Sequence, residues 1–161
     1  MSDNSDTRHD WTDSEKDTYL VFTLHDGLYA TPLLDVREVV EFKSPKALPN
    51  TKPAFLGVIN IRGEIIGVID LSMRLGGPAV EGKRLSLLVI SSNDGAISAL
   101  VDEVQSVVQI EPSKIEKYSK GQNEGDSGYG VARLDDRLVT IIDLKKVIDT
   151  SDIANLKKLA A

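Results

Sequence analysis

The chain has 161 residues, of which 41% are hydrophobic and 27% are charged, and its formal net charge is −6. This length is enough for one soluble domain with a sizeable core. The excess of acidic residues argues against a surface that binds nucleic acid or anionic membranes. The absence of cysteine excludes disulfides and thiolate metal sites. No apolar run approaches the roughly 18 residues of a membrane span.

The first part of the chain is polar. Residues 1–17 predict a disordered acidic tail, in which Trp11 is the lone large apolar side chain. Trp11 is either a stray aromatic residue or a contact with the domain or a partner. The tail lacks the basic region and the apolar run of a signal peptide, so we expect a cytoplasmic protein.

Two segments of the chain resemble each other. Residues 20–40 align without a gap on residues 88–108. The identical pairs are Leu20 and Leu88, Val21 and Val89, Asp26 and Asp94, Gly27 and Gly95, Val36 and Val104, Val39 and Val107, and Val40 and Val108. Each copy predicts an apolar strand, an Asp-Gly turn and a second strand, because the commonest two-residue hairpin turn needs positive φ.

The stretch 57–71, GVINIRGEIIGVIDL, predicts two strands joined by a tight turn. Its many β-branched residues suit a pleated surface, and Gly63 permits the turn. Asn60, Arg62 and Glu64 place polar groups at this turn. These groups either solvate an ordinary hairpin or form a functional cluster.

A second match follows the first in the same order. Residues 62–71 resemble residues 136–144, and both segments run into a short helix-like stretch with Asp70 or Asp143 at the N-cap position. The repeats near 19–75 and 87–148 therefore predict two similar halves related by a pseudo-two-fold axis. We predict a mostly β domain over 18–150, in which each half closes into a small barrel of about five strands.

Two further segments carry weaker signals. Residues 120–130 are glycine-rich but lack the Gly-Lys-Ser/Thr ending of a phosphate-binding loop, and we predict no cofactor. Residues 151–161 predict a short C-terminal helix, because three apolar residues recur there at helical spacing, namely Ile153, Leu156 and Leu159.

Catalytic chemistry has little support. The two histidines, His9 and His25, have no second ligand at metal spacing. Asp70 and Asp143 could share a proton, as in a two-barrel aspartic protease. However, each is followed by leucine instead of the glycine-containing loop that such a site needs, which favours helix capping. We predict surface recognition and no enzymatic activity.

The segment LPNTKPAFLGVINIRGEIIGVIDLSMRLG, with VREVVEF before it and GVARLDDRLVTIIDL after it, resembles the bacterial chemotaxis coupling proteins, the CheW-like domain family. The resemblance covers about Thr18 to Asp149 and departs from the pattern at Ile61, usually leucine, and Gly67, often proline. It implies two intertwined five-stranded β-barrels. It also implies a non-enzymatic adaptor that joins transmembrane chemoreceptors to the histidine kinase CheA in membrane-associated arrays.

The resemblance also implies binding residues. The receptor tip is expected between the barrels, at positions Val36, Glu38, Gly57, Arg62, Ile65 and Asp102. The alternative for Val36 and Ile65 is ordinary core, and Glu38 and Arg62 could form a structural ion pair. A strand over DVREVVEF would place Glu38 beside an apolar stripe, Val36, Val40 and Phe42.

The surface for the regulatory domain of CheA is expected near Phe42, Leu48 and Phe55. The proline-rich segment 44–55 could equally be a simple crossover with Phe55 in the core. The main alternative function is a CheW-like regulatory module of a non-flagellar system, such as twitching motility. We expect no nucleic-acid partner and no direct membrane insertion.

Overall fold

A computed structural model describes residues 16–92, 95–118 and 129–148. The predicted disordered tail, including Trp11 and His9, lies outside these residues except for its last two positions, and so does the predicted C-terminal helix. The strands are β1 Thr18–Leu24, β2 Gly27–Pro32, β3 Glu38–Glu41, β4 Phe55–Ile61, β5 Glu64–Asp70, β6 Ser86–Ser92, β7 Gly95–Val101, β8 Glu103–Gln109, β9 Glu116–Tyr118, β10 Tyr129–Leu134 and β11 Arg137–Ile142. Two short helices follow β5 and β11, α1 Leu71–Arg74 and α2 Leu144–Val147, and 3-10 turns span Leu33–Asp35 and Pro112–Lys114.

The strands form two sheets. The six-stranded sheet has the order β8-β1-β2-β11-β10-β9, and the five-stranded sheet has the order β3-β6-β7-β5-β4. Neighbouring strands are antiparallel except for two parallel pairs, β2 with β11 and β5 with β7. The prediction of a mostly β chain is confirmed.

The sheets have the same strand order once the repeats are aligned. The strands that correspond between the repeats are β1 and β6, β2 and β7, β3 and β8, β4 and β10, and β5 and β11. When each strand of the five-stranded sheet is replaced by its counterpart, the order β3-β6-β7-β5-β4 becomes β8-β1-β2-β11-β10, which is the order of five strands in the other sheet. The registers match as well. Three residue pairs in one sheet have an equivalent pair in the other. Leu20 and Val107 are equivalent to Leu88 and Val39, Thr140 and Tyr29 to Gly67 and Ile97, and Gly130 and Ile141 to Gly57 and Val68.

Each sheet contains strands from both repeats. The first hairpin, β1 and β2, pairs with β8 and β11 from the second repeat, and the second hairpin, β6 and β7, pairs with β3 and β5 from the first. Neither sheet can therefore form from one repeat alone. The main core contains buried side chains of both sheets, including Ile66 and Leu87 of the five-stranded sheet and Phe22 and Ile142 of the six-stranded sheet. A smaller cluster lies in the six-stranded sheet around Val21, Ala30 and Val139.

The edges of the five-stranded sheet approach each other after β3. Lys46 and Val58 exchange two backbone hydrogen bonds of 2.8 and 2.9 Å, which connects the chain beyond β3 to β4. Gly57, beside Val58, has φ of 144°, and a Cβ there would overlap the Lys46 carbonyl group. The glycine is therefore required for this close approach.

Two local predictions were wrong. Leu24 faces Gly27, so the turn residues are His25 and Asp26, and the positive φ of 54° falls on His25 instead of the predicted Asp-Gly pair. Gly27 belongs to the strand, where a Cβ would crowd the Tyr29 ring. The predicted strand over DVREVVEF is shorter, because a 3-10 turn occupies Leu33–Asp35 and β3 covers Glu38–Glu41.

The close approach at Gly57 can be tested with a matched control. Gly57→Ala should destabilise the fold by about 3 kcal/mol or more, because the new Cβ must displace backbone atoms of Lys46. Gly95→Ala places a Cβ at a similar φ of 134° in open space, so it should cost about 1–2 kcal/mol of backbone strain. Urea unfolding of both variants measures the difference, and equal losses would contradict this role of Gly57.

Candidate functional site

The β4–β5 hairpin has a two-residue turn in which both residues adopt positive φ. Ile61 faces Glu64, so Arg62 and Gly63 form the turn, with φ of 51° and 87°. The Asn60 Oδ1 atom accepts a 2.9 Å hydrogen bond from the Gly63 N–H. Left-handed backbone is unfavourable for arginine, which projects its guanidinium from the tip of the hairpin in spite of this cost.

Arg62 forms an ion pair with the first residue of β3. Its Nη2 atom lies 2.8 Å from Oε1 and 2.6 Å from Oε2 of Glu38. The Arg62 side chain is 72% exposed and the Glu38 side chain is 23% exposed. The pair links the hairpin tip to the strand at the opposite edge of the sheet. Because exposed pairs contribute little to stability, its main effect is to fix the positions of two charges.

A second pair lies beside the first. The Arg37 Nη2 atom is 3.0 Å from Glu64 Oε1, its Nη1 atom donates to Ser91 Oγ at 3.1 Å, and its Nε atom is 3.4 Å from Glu38 Oε2. Arg62, Glu38, Arg37 and Glu64 thus form a row of alternating charge without net charge. We call these four residues the charge row.

The charge row shifts the pKa values of Glu38 and Arg37. The hydrogen bond from Arg62 is the main cause that lowers the pKa of Glu38, with further lowering by the charges of Arg62 and Arg37. The hydrogen bond to Glu64 is the main cause that raises the pKa of Arg37. Both shifts favour the charged forms of these two groups.

Three of the residues expected at the receptor surface meet at this end of the sheet. Glu38 and Arg62 are in contact, and Ile65, which faces Asn60, exposes its side chain beside the turn. Val36 packs partly buried against the main core. Gly57 is buried within β4, and the close approach of its backbone to Lys46 explains why this position is a glycine.

Asp102 lies apart from the charge row. It follows Val101, which faces Ser86 at one end of β6, whereas Ser91, the partner of Arg37, lies near the other end. Ser91 lies five positions after Ser86 on the same strand, which corresponds to roughly 17 Å at about 3.4 Å per residue. Asp102 therefore follows a strand end that is opposite, along β6, to the end beside the charge row.

The three residues expected at the kinase surface differ in accessibility. The Phe55 side chain is only 4% exposed and belongs to the main core, so the core explanation of this residue is favoured. Phe42 and Leu48 are partly buried and pack against the same core, and each keeps some exposed surface. These two residues, without Phe55, remain available for contacts.

Asp70 and Asp143 are helix N-caps. Asp70 is buried, and it accepts hydrogen bonds from the Met73 N–H at 3.0 Å and the Val80 N–H at 2.9 Å. Asp143 accepts from the Lys145 N–H at 3.1 Å. Helix capping therefore explains why a carboxylate occupies each position, without any catalytic role. Within the ranges described, no group of three or more metal-ligating side chains occurs, and no helix there is long and apolar enough to cross a membrane.

Three exposed apolar side chains, Val39, Val107 and Leu138, were not predicted as surface residues, and together with Ile65 they occupy equivalent positions of the two repeats. Val39 and Val107 occupy matching positions of the edge strands β3 and β8, and Ile65 matches Leu138, which is 65% exposed. Strand alternation combined with the repeat could have identified them, because Ile66 and Val139 beside Ile65 and Leu138 point inwards.

Comparisons with known proteins point to one family. Residues 18–152 match the family model described as CheW-like domain. The chemotaxis protein CheW of Bacillus subtilis (strain 168) is 32% identical over 133 residues, which cover 81% of this chain and 85% of that protein. The CheW protein of Thermotoga maritima is 28% identical over 130 residues, with coverage of 81% and 86%. The crystal structure of the scaffolding protein TtCheW from Thermoanaerobacter tengcongensis superposes with a TM-score of 0.74 at 28% identity, covering 91% of this chain and 94% of that chain.

The lowered pKa of Glu38 can be tested by nuclear magnetic resonance. In Arg62→Gln, the pKa of Glu38 should rise, because the variant lacks the guanidinium that stabilises the carboxylate. The contribution of this pair to stability is present above the unfolded-state pKa of Glu38 and is lost as pH falls through the lower folded-state pKa. Carboxyl ¹³C titration measures the shift. Arg133→Gln in the other sheet is the control, and an unchanged Glu38 pKa in Arg62→Gln would contradict the assigned cause.

Proposed function

Because this chain belongs to the CheW-like domain family, whose members are non-enzymatic chemotaxis scaffolds, we propose that it is an adaptor coupling transmembrane chemoreceptors to the histidine kinase CheA. The match of the family model over residues 18–152 carries this proposal. We place the protein in the cytoplasm, recruited to receptor arrays, without a nucleic-acid partner, a cofactor or membrane insertion.

We also propose that the two sheets are closed barrels related by a pseudo-two-fold axis. The strands at the two edges of the six-stranded sheet, β8 and β9, are consecutive in the chain, with residues 110–115 between them. The edges of the five-stranded sheet are linked by the Lys46–Val58 bridge and by the Arg62–Glu38 pair. The matching registers of the two sheets support the pseudo-symmetry.

The proposed receptor surface is the charge row with the exposed side chain of Ile65. A receptor tip is a helical hairpin, and its helices could place apolar side chains on Ile65 and charged side chains against the row. Alternating fixed charges favour one orientation of a bound helix over others, because a shifted helix would meet like charges. Val36, Gly57 and Asp102 are proposed for this surface by resemblance alone.

For the kinase surface we propose the region of Phe42 and Leu48. Both side chains are anchored by the main core, so the surface around them is held rigidly. A rigid apolar patch on one barrel suits pairing with a second barrel, such as the regulatory domain of CheA. An adaptor in a non-flagellar array would bind the same two classes of partner. These surfaces therefore do not distinguish one motility system from another.

Charge reversal at the hairpin tip tests the receptor surface. Arg62→Glu places a carboxylate against Glu38 and should weaken binding to a purified receptor hairpin by about tenfold or more, the equivalent of at least about 1.4 kcal/mol. Binding to the regulatory domain of CheA should stay within about twofold, and the circular dichroism spectrum should match the parent. Isothermal titration calorimetry with each partner measures both affinities.

Arg133→Glu is the matched control, since it makes the same charge change on the six-stranded sheet. Unchanged receptor affinity of Arg62→Glu, or an equal loss in the control, would contradict the proposed surface. An unfolded Arg62→Glu variant would assign Arg62 a structural role instead.

A further inference from the structure

The segment that carries Phe42 and Leu48 differs in charge from the rest of the chain. Residues 42–55 contain no acidic residue, although the whole chain has a net charge of −6. Three exposed lysines lie in this segment, namely Lys43, Lys46 and Lys52. The proposed kinase surface is therefore locally cationic.

The backbone of this segment is held in place by the sheet. The Phe42 N–H donates to the Leu85 carbonyl oxygen at 3.1 Å, and Lys46 exchanges two hydrogen bonds with Val58. Proline rings, which fix φ, restrict the backbone at three further positions, Pro45, Pro49 and Pro53. The lysine side chains therefore extend from fixed points around the two apolar side chains of the kinase surface.

The neighbouring segments do not neutralise these lysines. Two more exposed cations, Lys83 and Arg84, precede Leu85, the partner of Phe42. The carboxylates at this end of the sheet are those of Glu41, Glu81 and Asp102, the last of which lies against Gly82. Among the residues that the structure describes, neither Lys43 nor Lys46 forms an ion pair.

We infer that the partner bound at Phe42 and Leu48 presents an apolar patch bordered by carboxylates, which the lysines of residues 42–55 attract during association. The inference rests on the proposed function, in which this partner is the regulatory domain of CheA. Charges at the border of an interface act mainly on the association rate, whereas the apolar centre acts on dissociation. Three carboxylates among the cations disfavour a nucleic acid or an anionic membrane, which need a larger basic surface.

The two proposed surfaces of the chain therefore differ in their long-range attraction. The charge row contains two cations and two anions, Arg62, Arg37, Glu38 and Glu64, whose fields cancel at a distance. The lysines of residues 42–55 have the same sign, so their fields add. Salt should consequently affect association at the kinase surface much more than association at the receptor surface.

Stopped-flow association of the full-length chain with the purified regulatory domain of CheA, and separately with a receptor hairpin, tests this difference. Raising NaCl from about 0.1 to about 1 M shortens the screening length from about 10 to about 3 Å. The kon for the regulatory domain should fall by about tenfold or more, and the kon for the receptor hairpin by less than about threefold. A salt-independent kon for the regulatory domain, or equal losses for both partners, would overturn the inference.

Charge reversal tests the lysines directly. Lys43→Glu combined with Lys46→Glu should lower kon for the regulatory domain by about tenfold or more at 0.1 M NaCl, with koff within about twofold. Both side chains are exposed, and Lys46 is anchored through its backbone, so the fold should be retained. Lys114→Glu combined with Arg133→Glu makes the same charge change at exposed positions of the second repeat and should lower kon by less than about threefold. Equal losses in the two double variants would overturn the inference, because net charge would then be the cause.

Leu48→Ala separates this inference from the kinase surface itself. The variant should raise koff by about fivefold or more and leave kon within about twofold, because the apolar contact forms after encounter. If koff rises in Leu48→Ala but kon is unchanged in the lysine double variant, the kinase surface stands and the carboxylate border is overturned. No binding of the parent at either salt concentration would overturn the proposed adaptor function together with this inference. Self-association of the parent in sedimentation experiments, abolished by the lysine double variant, would assign the surface to a second copy of the chain and overturn the inference.

Discussion

The two parallel strand pairings, β5 with β7 and β2 with β11, are the constraint on which the rest of the structure depends. Each joins a hairpin of one repeat to a strand of the other, and the two pairings have equivalent registers. Without them the β4–β5 hairpin would pair with no other strand, and the β10–β11 hairpin would pair only with the short strand β9. Isolated hairpins are marginally stable at best. The exchange also places the Arg62 turn within reach of β3, so the charge row exists only in the fully assembled fold.

The ion pairs of the charge row contribute little to the stability of the fold. Exposed ion pairs contribute little to stability, and the left-handed backbone of Arg62 opposes folding by about 1–2 kcal/mol. The arrangement makes better sense as a rigid pattern of charge, in which Glu38 is held between Arg62 and Arg37. Such a pattern determines which partner binds and in which orientation more than how tightly the chain folds.

Local and repeated features of the fold could be predicted from the sequence. The repeat, the strands around the Arg62 turn and the caps at Asp70 and Asp143 follow from nearby residues or from internal comparison. The contact of Arg37 with Glu64 could not be predicted, because it joins residues 27 positions apart through the order of strands in a sheet. The position of Asp102 depends on the same order. Phe55 illustrates a different difficulty, since an aromatic residue after a proline-rich loop can face either core or solvent until the packing is known.

The strand exchange has a consequence for biosynthesis. β1 lies between β2 and β8, and their contacts include a hydrogen bond between Thr23 and Glu103, 80 positions apart. At a translation rate of roughly 5–20 residues per second, the first hairpin waits about 4–16 s for its neighbour to leave the ribosome. β2 waits longer still for β11. During this interval both hairpin edges offer unpaired backbone groups to other nascent chains, so early chaperone binding would benefit this chain more than one that folds repeat by repeat.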